Sequence, residues 1–212
     1  MKPFQPTFEQ IESRLLPTFV FVFNGNGFAK STPDARHSQL SAQALMANGD
    51  RAVQLATPAM SAPRDFQQLA STIFAISKGR PVGLMGFSAG GTLAMRLSQI
   101  PKLNVKAVMN YYGPPDLRDW LEYHRGDRIY NQVTAQVHFS LGIIALLSGP
   151  SKSTAFIVSA FGLKDQNIVS SVSTASFQRD FPHGQVFSYP GRHGVTLYAD
   201  VPAFNTFLSH LR

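Results

Sequence analysis

Gly86-Phe87-Ser88-Ala89-Gly90-Gly91 decides the reading of this chain. It stands between two segments of different periodicity. Before it, Pro81–Phe87 (PVGLMGF) is a short, nearly continuous apolar run of strand length. After it, Ala89–Ile100 has helical spacing and is stopped by Pro101. A serine on a sharp strand-to-helix turn holds its hydroxyl exposed above the sheet, and bulky side chains two positions to either side would strike neighbouring strands. Gly86 and Gly90 remove that obstacle. The helix start behind Ser88 adds unpaired N–H groups and the positive end of a dipole. A glycine-rich turn with an N-capping serine would use the same letters, but the flanking strand and helix favour the presented hydroxyl.

Working outward, apolar runs alternate with helical patterns. Thr18–Phe23 (TFVFVF), Ala52–Ala56, Val105–Tyr111, Ala155–Phe161 (AFIVSAF) and Gln185–Tyr189 read as further strands. Helices are expected over His37–Asn48, over Arg64–Lys78 with Gly79 closing it, over Ser170–Phe181, and from about Val201, where Phe204, Phe207, Leu208 and Leu211 share one side. Such alternation predicts an α/β fold: a mostly parallel central sheet of about six strands with helices on both faces. Residues 1–212 are expected to form a single domain. Gly113–Lys152 breaks the rhythm, being too long for a simple crossover connection. It begins polar and ends apolar, and reads as a lid or cap insertion (113–152) over the carboxyl ends of the strands. An ordinary crossover helix with a long loop is the alternative.

Composition excludes several function classes. No cysteine is present, so there is no disulfide framework, thiolate metal site or cysteine nucleophile. Nineteen Lys plus Arg against twelve Asp plus Glu give a net charge of +7, but no two basic residues are adjacent. The clustered stripe of a nucleic-acid protein is missing, so the excess reads as surface charge or as the complement of an anionic small molecule. The opening MKPFQPTFEQ has no continuous apolar segment, and Phe139–Leu147 is far short of a membrane span. A cytoplasmic protein without a membrane span is the expectation.

The elbow and the element order resemble the α/β-hydrolase superfamily, in its compact dienelactone-hydrolase-like or small serine esterase form. The resemblance runs from Thr18 to Arg212. It implies hydrolysis of esters, thioesters, lactones or amides with no cofactor and no metal, and a chain order of nucleophile, acid, histidine. Dienelactone hydrolases use a cysteine nucleophile; Ser88 here points to the esterase-like relatives.

A serine hydroxyl needs an imidazole to take its proton. His193, in Tyr189-Pro190-Gly191-Arg192-His193-Gly194, follows the last strand and so lies at the sheet edge where Ser88 emerges. His183 precedes that strand, His37 opens an early helix, His210 lies in the last one, and His124 and His138 fall in the insertion, where they could touch substrate. Asp165 follows the fifth strand at the same edge and matches the family pattern of strand, glycine, then acid before a helix. Its alternative is a helix cap. Asp116, after the fourth strand, is the rival acid and could cap a helix of the insertion.

Acyl transfer builds negative charge on the carbonyl oxygen, which rigid N–H donors stabilise. The N–H of Ala89 is one expected donor. Asn24-Gly25-Asn26-Gly27-Phe28 is similar to the family's H-G-x-G segment with Asn24 in the histidine's place, which implies the N–H of Asn26 as the other. A dinucleotide loop is disfavoured, because the third glycine of that fingerprint is missing.

Phe28, Tyr111, Tyr112, Trp120, Tyr123 and the apolar end of the insertion are candidate substrate contacts, with core packing as their alternative. Arg192 could meet an acidic substrate group; Arg118 and Arg125 are weaker candidates. The leading reading is a serine hydrolase of a carboxylic ester or thioester of a small to medium aromatic molecule, with an anionic group on it left open. Hydrolysis of an amide in an aromatic peptide-like compound, a noncatalytic receptor built on the same pocket, and lipid-surface binding through Phe139–Leu147 are the alternatives.

Overall fold

The described residues of the computed structural model are 17–33, 36–194 and 201–212; the MKPFQPTFEQ segment lies outside them. The strands are β1 (Phe19–Phe23), β2 (Arg51–Leu55), β3 (Val82–Phe87), β4 (Val105–Tyr111), β5 (Phe156–Gly162) and β6 (Gln185–Tyr189). They form one all-parallel sheet in the order β2-β1-β3-β4-β5-β6. Helices α1 (Arg36–Ala47), α2 (Pro63–Ser77), α3 (Ala89–Leu97), α7 (Ser170–Asp180) and α8 (Val201–Leu211) surround it, with α4 (Leu117–Tyr123), α5 (Arg128–Gln136) and α6 (Leu141–Leu146) between β4 and β5.

Strand pleating sorts the core into two layers. Phe21 and Phe23 of β1, Leu84 of β3 and Val108 of β4 face α2, α3, α7 and the inserted helices. Val20, Val22, Met85, Phe87 and Met109 face α1 and α8 through Leu45, Ala203, Phe207 and Leu211. A sheet covered on both sides needs apolar residues at successive positions, and β3 is buried along its whole length. The edge strands β2 and β6 are partly exposed, which is why they carry Arg51, Gln54, Gln185 and Ser188.

Most boundaries fall within one residue of the sequence reading, and two helix ends differ from it for an identifiable local reason. Helix α3 ends at Leu97, not Ile100, because the residue before a proline is driven to extended backbone; Ile100 has φ −91° and ψ 104°, and Pro101 opens a 3₁₀ turn. In α2, Lys78 itself takes the left-handed C-cap, at φ 54°, one residue before Gly79.

The 113–152 segment is helical and continuous with the main core, which Leu117, Trp120, Val133, Val137, Ile143 and Leu147 join. Its apolar end is therefore packed inward at Ile143 and Leu147, while Leu141 is 86% exposed. Its stems are tied down by Arg96 of α3, a fully buried side chain. The Arg96 guanidinium donates to the carbonyl oxygens of Pro115 and of Gly149 (2.6 Å) and pairs with Asp180 (3.3 Å). Asp116, the rival acid, serves this fastening. One carboxylate oxygen accepts the N–H groups of Arg118 (2.8 Å) and Asp119 (3.1 Å), capping α4; the other accepts from Gly149 N–H (2.7 Å) and Arg179 (3.0 Å).

Burial pushes the Asp116 carboxyl up, but the N–H groups of Gly149 and Asp119, the Ser148 hydroxyl and the charge of Arg96 outweigh it, holding its pKa below the ordinary aspartate value. A carboxylate with a depressed folded pKa stabilises the fold above the unfolded value, about 3.9, and that contribution is lost as pH falls through the folded value. Asp116→Asn should cost about 1–3 kcal/mol at pH 7, measured by urea unfolding. The gap to the parent protein should narrow below about pH 4; a gap constant down to pH 3 would refute the role given to Asp116.

Candidate active site

Because every strand is parallel, all carboxyl ends share one rim, and the residues singled out in sequence emerge there. The chain reverses its lateral direction between β1 and β3, which opens a crevice at their ends. The loop after β1 and the turn after β3 meet in it.

Ser88 has φ 51° and ψ −127°, a conformation rare for a residue with a side chain. It is held by its N–H on the Tyr111 carbonyl (2.9 Å) and by its carbonyl, which accepts from Gly91 N–H (2.8 Å). A Cβ on Gly86 would stand 2.1 Å from the Gly90 carbonyl oxygen, so strand and helix touch backbone to backbone. The Ser88 hydroxyl lies 3.1 Å from Nε2 of His193, and Nδ1 of His193 lies 2.9 Å from Asp165 Oδ2. The Asp165 carboxylate is fully buried, while the His193 side chain is 26% exposed. Asp165 Oδ1 accepts the N–H groups of Asn167 and Ile168, both at 2.9 Å, so this carboxylate closes its own loop as well as orienting the imidazole. With Nδ1–H given to Asp165, Nε2 is left as the acceptor of the serine proton.

The loop after β1 presses on this centre: a Cβ on Gly25 would come 2.5 Å from the Ser88 Cβ. Asn24 is buried and its side-chain N–H group donates to the Thr32 carbonyl, so it ties the two ends of the loop together. Asn26 donates from its side chain to the Lys30 carbonyl (2.8 Å) and lines the cleft. Ala89 is the first residue of α3, where a backbone N–H has no intrahelical acceptor.

A cleft of about 290 Å³ opens over Ser88 and His193. Tyr112 and Trp120 line it. The Tyr112 ring is 4.6 Å from that of His193, and Trp120 donates its indole N–H to the Asn167 carbonyl (2.8 Å), bracing the Asp165 loop against the insertion. Two other candidate contacts are core residues. Phe28 is buried with its ring edge-on to Phe139 at 5.6 Å, because its backbone at φ 66° turns it inward from the loop. Tyr111, the last residue of β4, is stacked on Phe87 at 5.2 Å, on the sheet face opposite the insertion. Arg192 is exposed and is absent from the cleft lining; with Lys164 it lines an adjoining depression that shares Asn167 and His193 with the cleft. His124 is buried against Asp127 (2.7 Å), and Tyr123 is 55% exposed; neither lines the cleft.

Several lining residues went unread in the sequence. Helix α5 contributes Ile129, Gln132, Val133 and Gln136, and α1 contributes His37. The signal for His37 was topological: the helix that follows a parallel strand starts on the side of that strand's carboxyl rim. For α5 there was none, because the direction of an insertion helix depends on its packing.

No protein-family model and no curated protein sequence matches the chain. Solved structures do. A bifunctional GH43-CE protein from Bacteroides eggerthii superimposes with a TM-score of 0.74 at 16% identity over 92% of this chain, which spans 34% of that protein's length. A truncated carbohydrate esterase from gut microbiota gives 0.73 at 15% identity, covering 93% of this chain and 87% of the other. An alpha/beta hydrolase enzyme from a Medee basin deep-sea metagenome library gives 0.63 at 17%, covering 95% and 79%. At these identities the likeness is one of architecture: the chain has the α/β-hydrolase fold.

Proposed function

We propose that this protein is a serine hydrolase that cleaves a carboxylic ester through an acyl-enzyme. The observation that carries this reading is the unbroken hydrogen-bonded series from the Ser88 hydroxyl through His193 to the buried Asp165, at 3.1 and 2.9 Å. The carbohydrate esterase among the similar folds supports an ester as the bond cleaved.

In this mechanism His193 Nε2 takes the Ser88 proton as the hydroxyl oxygen attacks the ester carbonyl, and Asp165 stabilises the imidazolium. The carbonyl oxygen becomes an oxyanion held by the N–H groups of Ala89 and Asn26. His193 then gives its proton to the departing alkoxide, and water repeats the cycle on the acyl-serine. Trp120 and the edge of the largely buried Tyr112 border the cleft in which the substrate would lie. Arg192 and Lys164 lie outside the cleft, where they could meet only a group extending past His193.

Ser88→Ala should abolish hydrolysis of 4-nitrophenyl acetate and labelling by a fluorophosphonate, with far-ultraviolet circular dichroism unchanged. His193→Ala and Asp165→Asn should each lower kcat by about a thousandfold or more. Full activity in either, or labelling at a residue other than Ser88, would reject the assignment. Gly25→Ala tests the oxyanion loop. Its methyl group would push the Asn26 N–H away from Ser88, lowering kcat by about a hundredfold with a smaller effect on KM. A change confined to KM would place Asn26 outside the oxyanion site.

A further inference from the structure

A depression of about 300 Å³ adjoins the cleft at the loops that follow β5 and β6. Its lining among the described residues is Lys164, Gln166, Asn167, Arg192 and His193, and Asn167 and His193 also line the cleft. The two hollows therefore meet at the His193 imidazole. Lys164 and Arg192 are both exposed, and each directly precedes a member of the hydrogen-bonded series, Asp165 and His193. Their backbones are fixed against one another. Lys164 N–H donates to the Gly191 carbonyl and Leu163 N–H to the Tyr189 carbonyl, both at 2.9 Å. Gly162 lets the two loops come this close, since a Cβ there would stand 2.6 Å from the Gly191 carbonyl oxygen. Asp165, beside Lys164 in sequence, is committed elsewhere: one carboxylate oxygen is on His193 and the other on the N–H groups of Asn167 and Ile168. The fold thus holds two positive charges on adjacent loops where the cleft continues past His193.

The direction of proton transfer decides which half of an ester would lie there. Sheet order puts the loop after β1 on one side of β3 and the loops after β5 and β6 on the other. Ser88 follows β3, so it stands between them. In the proposed reaction the carbonyl oxygen turns toward Asn26, on the β1 side. The departing oxygen takes its proton from His193 and so faces the β5–β6 side. A substituent on the leaving alcohol is then carried past the imidazole toward Lys164 and Arg192. Arginine can give two parallel N–H groups to a carboxylate, and the ammonium of lysine adds a second charge beside it. Water screens exposed pairs, so each cation contributes modestly, but both act on one group.

We propose that Lys164 and Arg192 form an anion subsite for the leaving half of the substrate, so that the protein selects esters whose alcohol or phenol carries a carboxylate. The proposal deepens the ester-hydrolase reading and rests on it for which half of the substrate reaches the subsite, but its recognition element is separate from Ser88, His193 and Asp165.

The test compares 4-acetoxybenzoate with 4-acetoxybenzamide, acetates of similar shape whose leaving phenols differ in charge. The phenols also differ in acidity, so the readout is the change in the benzoate-to-benzamide ratio of kcat/KM between proteins, not its value. Lys164→Gln and Arg192→Gln should each lower the ratio by about two- to fivefold, and the double variant by about tenfold. In the parent protein the ratio should also fall as salt rises from about 0.05 M to about 1 M. Lys106→Gln removes an exposed cation at the start of β4, on the opposite rim, and should leave the ratio unchanged. A ratio unmoved in the double variant, or lowered as far by Lys106→Gln, overturns the proposal. A second measurement separates it from the ester reading. The Ser88→Ala protein, titrated with 4-acetoxybenzoate and followed by NMR, should bind it saturably, and about tenfold more weakly once Lys164→Gln and Arg192→Gln are added. Binding that depends on the two cations, with no ester turned over by the parent protein, would sink the hydrolase reading and keep the subsite. Ester turnover with binding indifferent to both cations would do the reverse.

Discussion

The contact between strand β3 and helix α3 sets the geometry on which the rest of the site depends. The two elements meet so closely at Gly86 and Gly90 that a single methyl group on Gly86 would overlap backbone. That approach forces the intervening residue into a positive φ, a conformation that costs a non-glycine residue about 1–3 kcal/mol. Its neighbours supply the restraint. Phe87 is completely buried, Ser88 N–H is fixed on β4, and the Ser88 carbonyl is taken into the first turn of α3. Asn110, also fully buried, adds a polar staple at the end of β4: it binds the N–H (2.8 Å) and carbonyl (3.0 Å) of Gly113 and reaches Ser159 on β5 (3.0 Å). The same staple fixes where the chain leaves the sheet to begin the insertion.

The insertion in turn depends on charge buried behind it. Arg96 would be costly inside a helix packed on the sheet if it were unpaired. Here it holds carbonyls from residues 115 and 149, the two stems of the insertion, and a carboxylate from α7. Arg179 extends the arrangement to Asp116 and Asp119. Three segments distant in sequence, the two stems and α7, are thereby fixed with respect to one helix, which starts directly after Ser88. Placement of α5 over the cleft and placement of the serine are consequences of one framework. Trp120 links it to the Asp165 loop through its indole N–H.

The parts legible in the sequence were those governed by local pattern or by the parallel sheet itself. β4 and β6 begin and end where their apolar runs do, and the strands fell into one sheet because alternation with helices admits few other arrangements. Ser88, Asp165 and His193 could be placed on one rim without coordinates, since each follows the carboxyl end of a strand. What stayed hidden was side-chain direction outside regular elements. Phe28 and Tyr112 both follow strands, both have positive φ and both are buried in the core, yet only Tyr112 also borders the cleft. Arg192 and His193 are adjacent and share one depression, yet only His193 also reaches the cleft. Helix α3 also ended early, because Pro101 acts on its predecessor before it acts on its own N–H.

Among the described residues no Lys, Arg, Asp or Glu lines the cleft, which has a consequence for the chemistry proposed at its floor. Two charges would arise during acyl transfer, the oxyanion and the His193 imidazolium, and fixed charges nearby would bias them unequally. A carboxylate in the wall would oppose the oxyanion; a guanidinium would oppose the imidazolium. Carboxamides and aromatic rings do neither, so in the proposed reaction the oxyanion would be left to backbone N–H groups and the imidazolium to Asp165. Because that carboxylate is removed from water, its field acts on His193 with little screening. The surface cations Lys164 and Arg192 sit on the solvent side of His193, where water weakens them. Among the described residues, the charge balance of the proposed reaction would thus reside in one buried carboxylate and the backbone around Ser88.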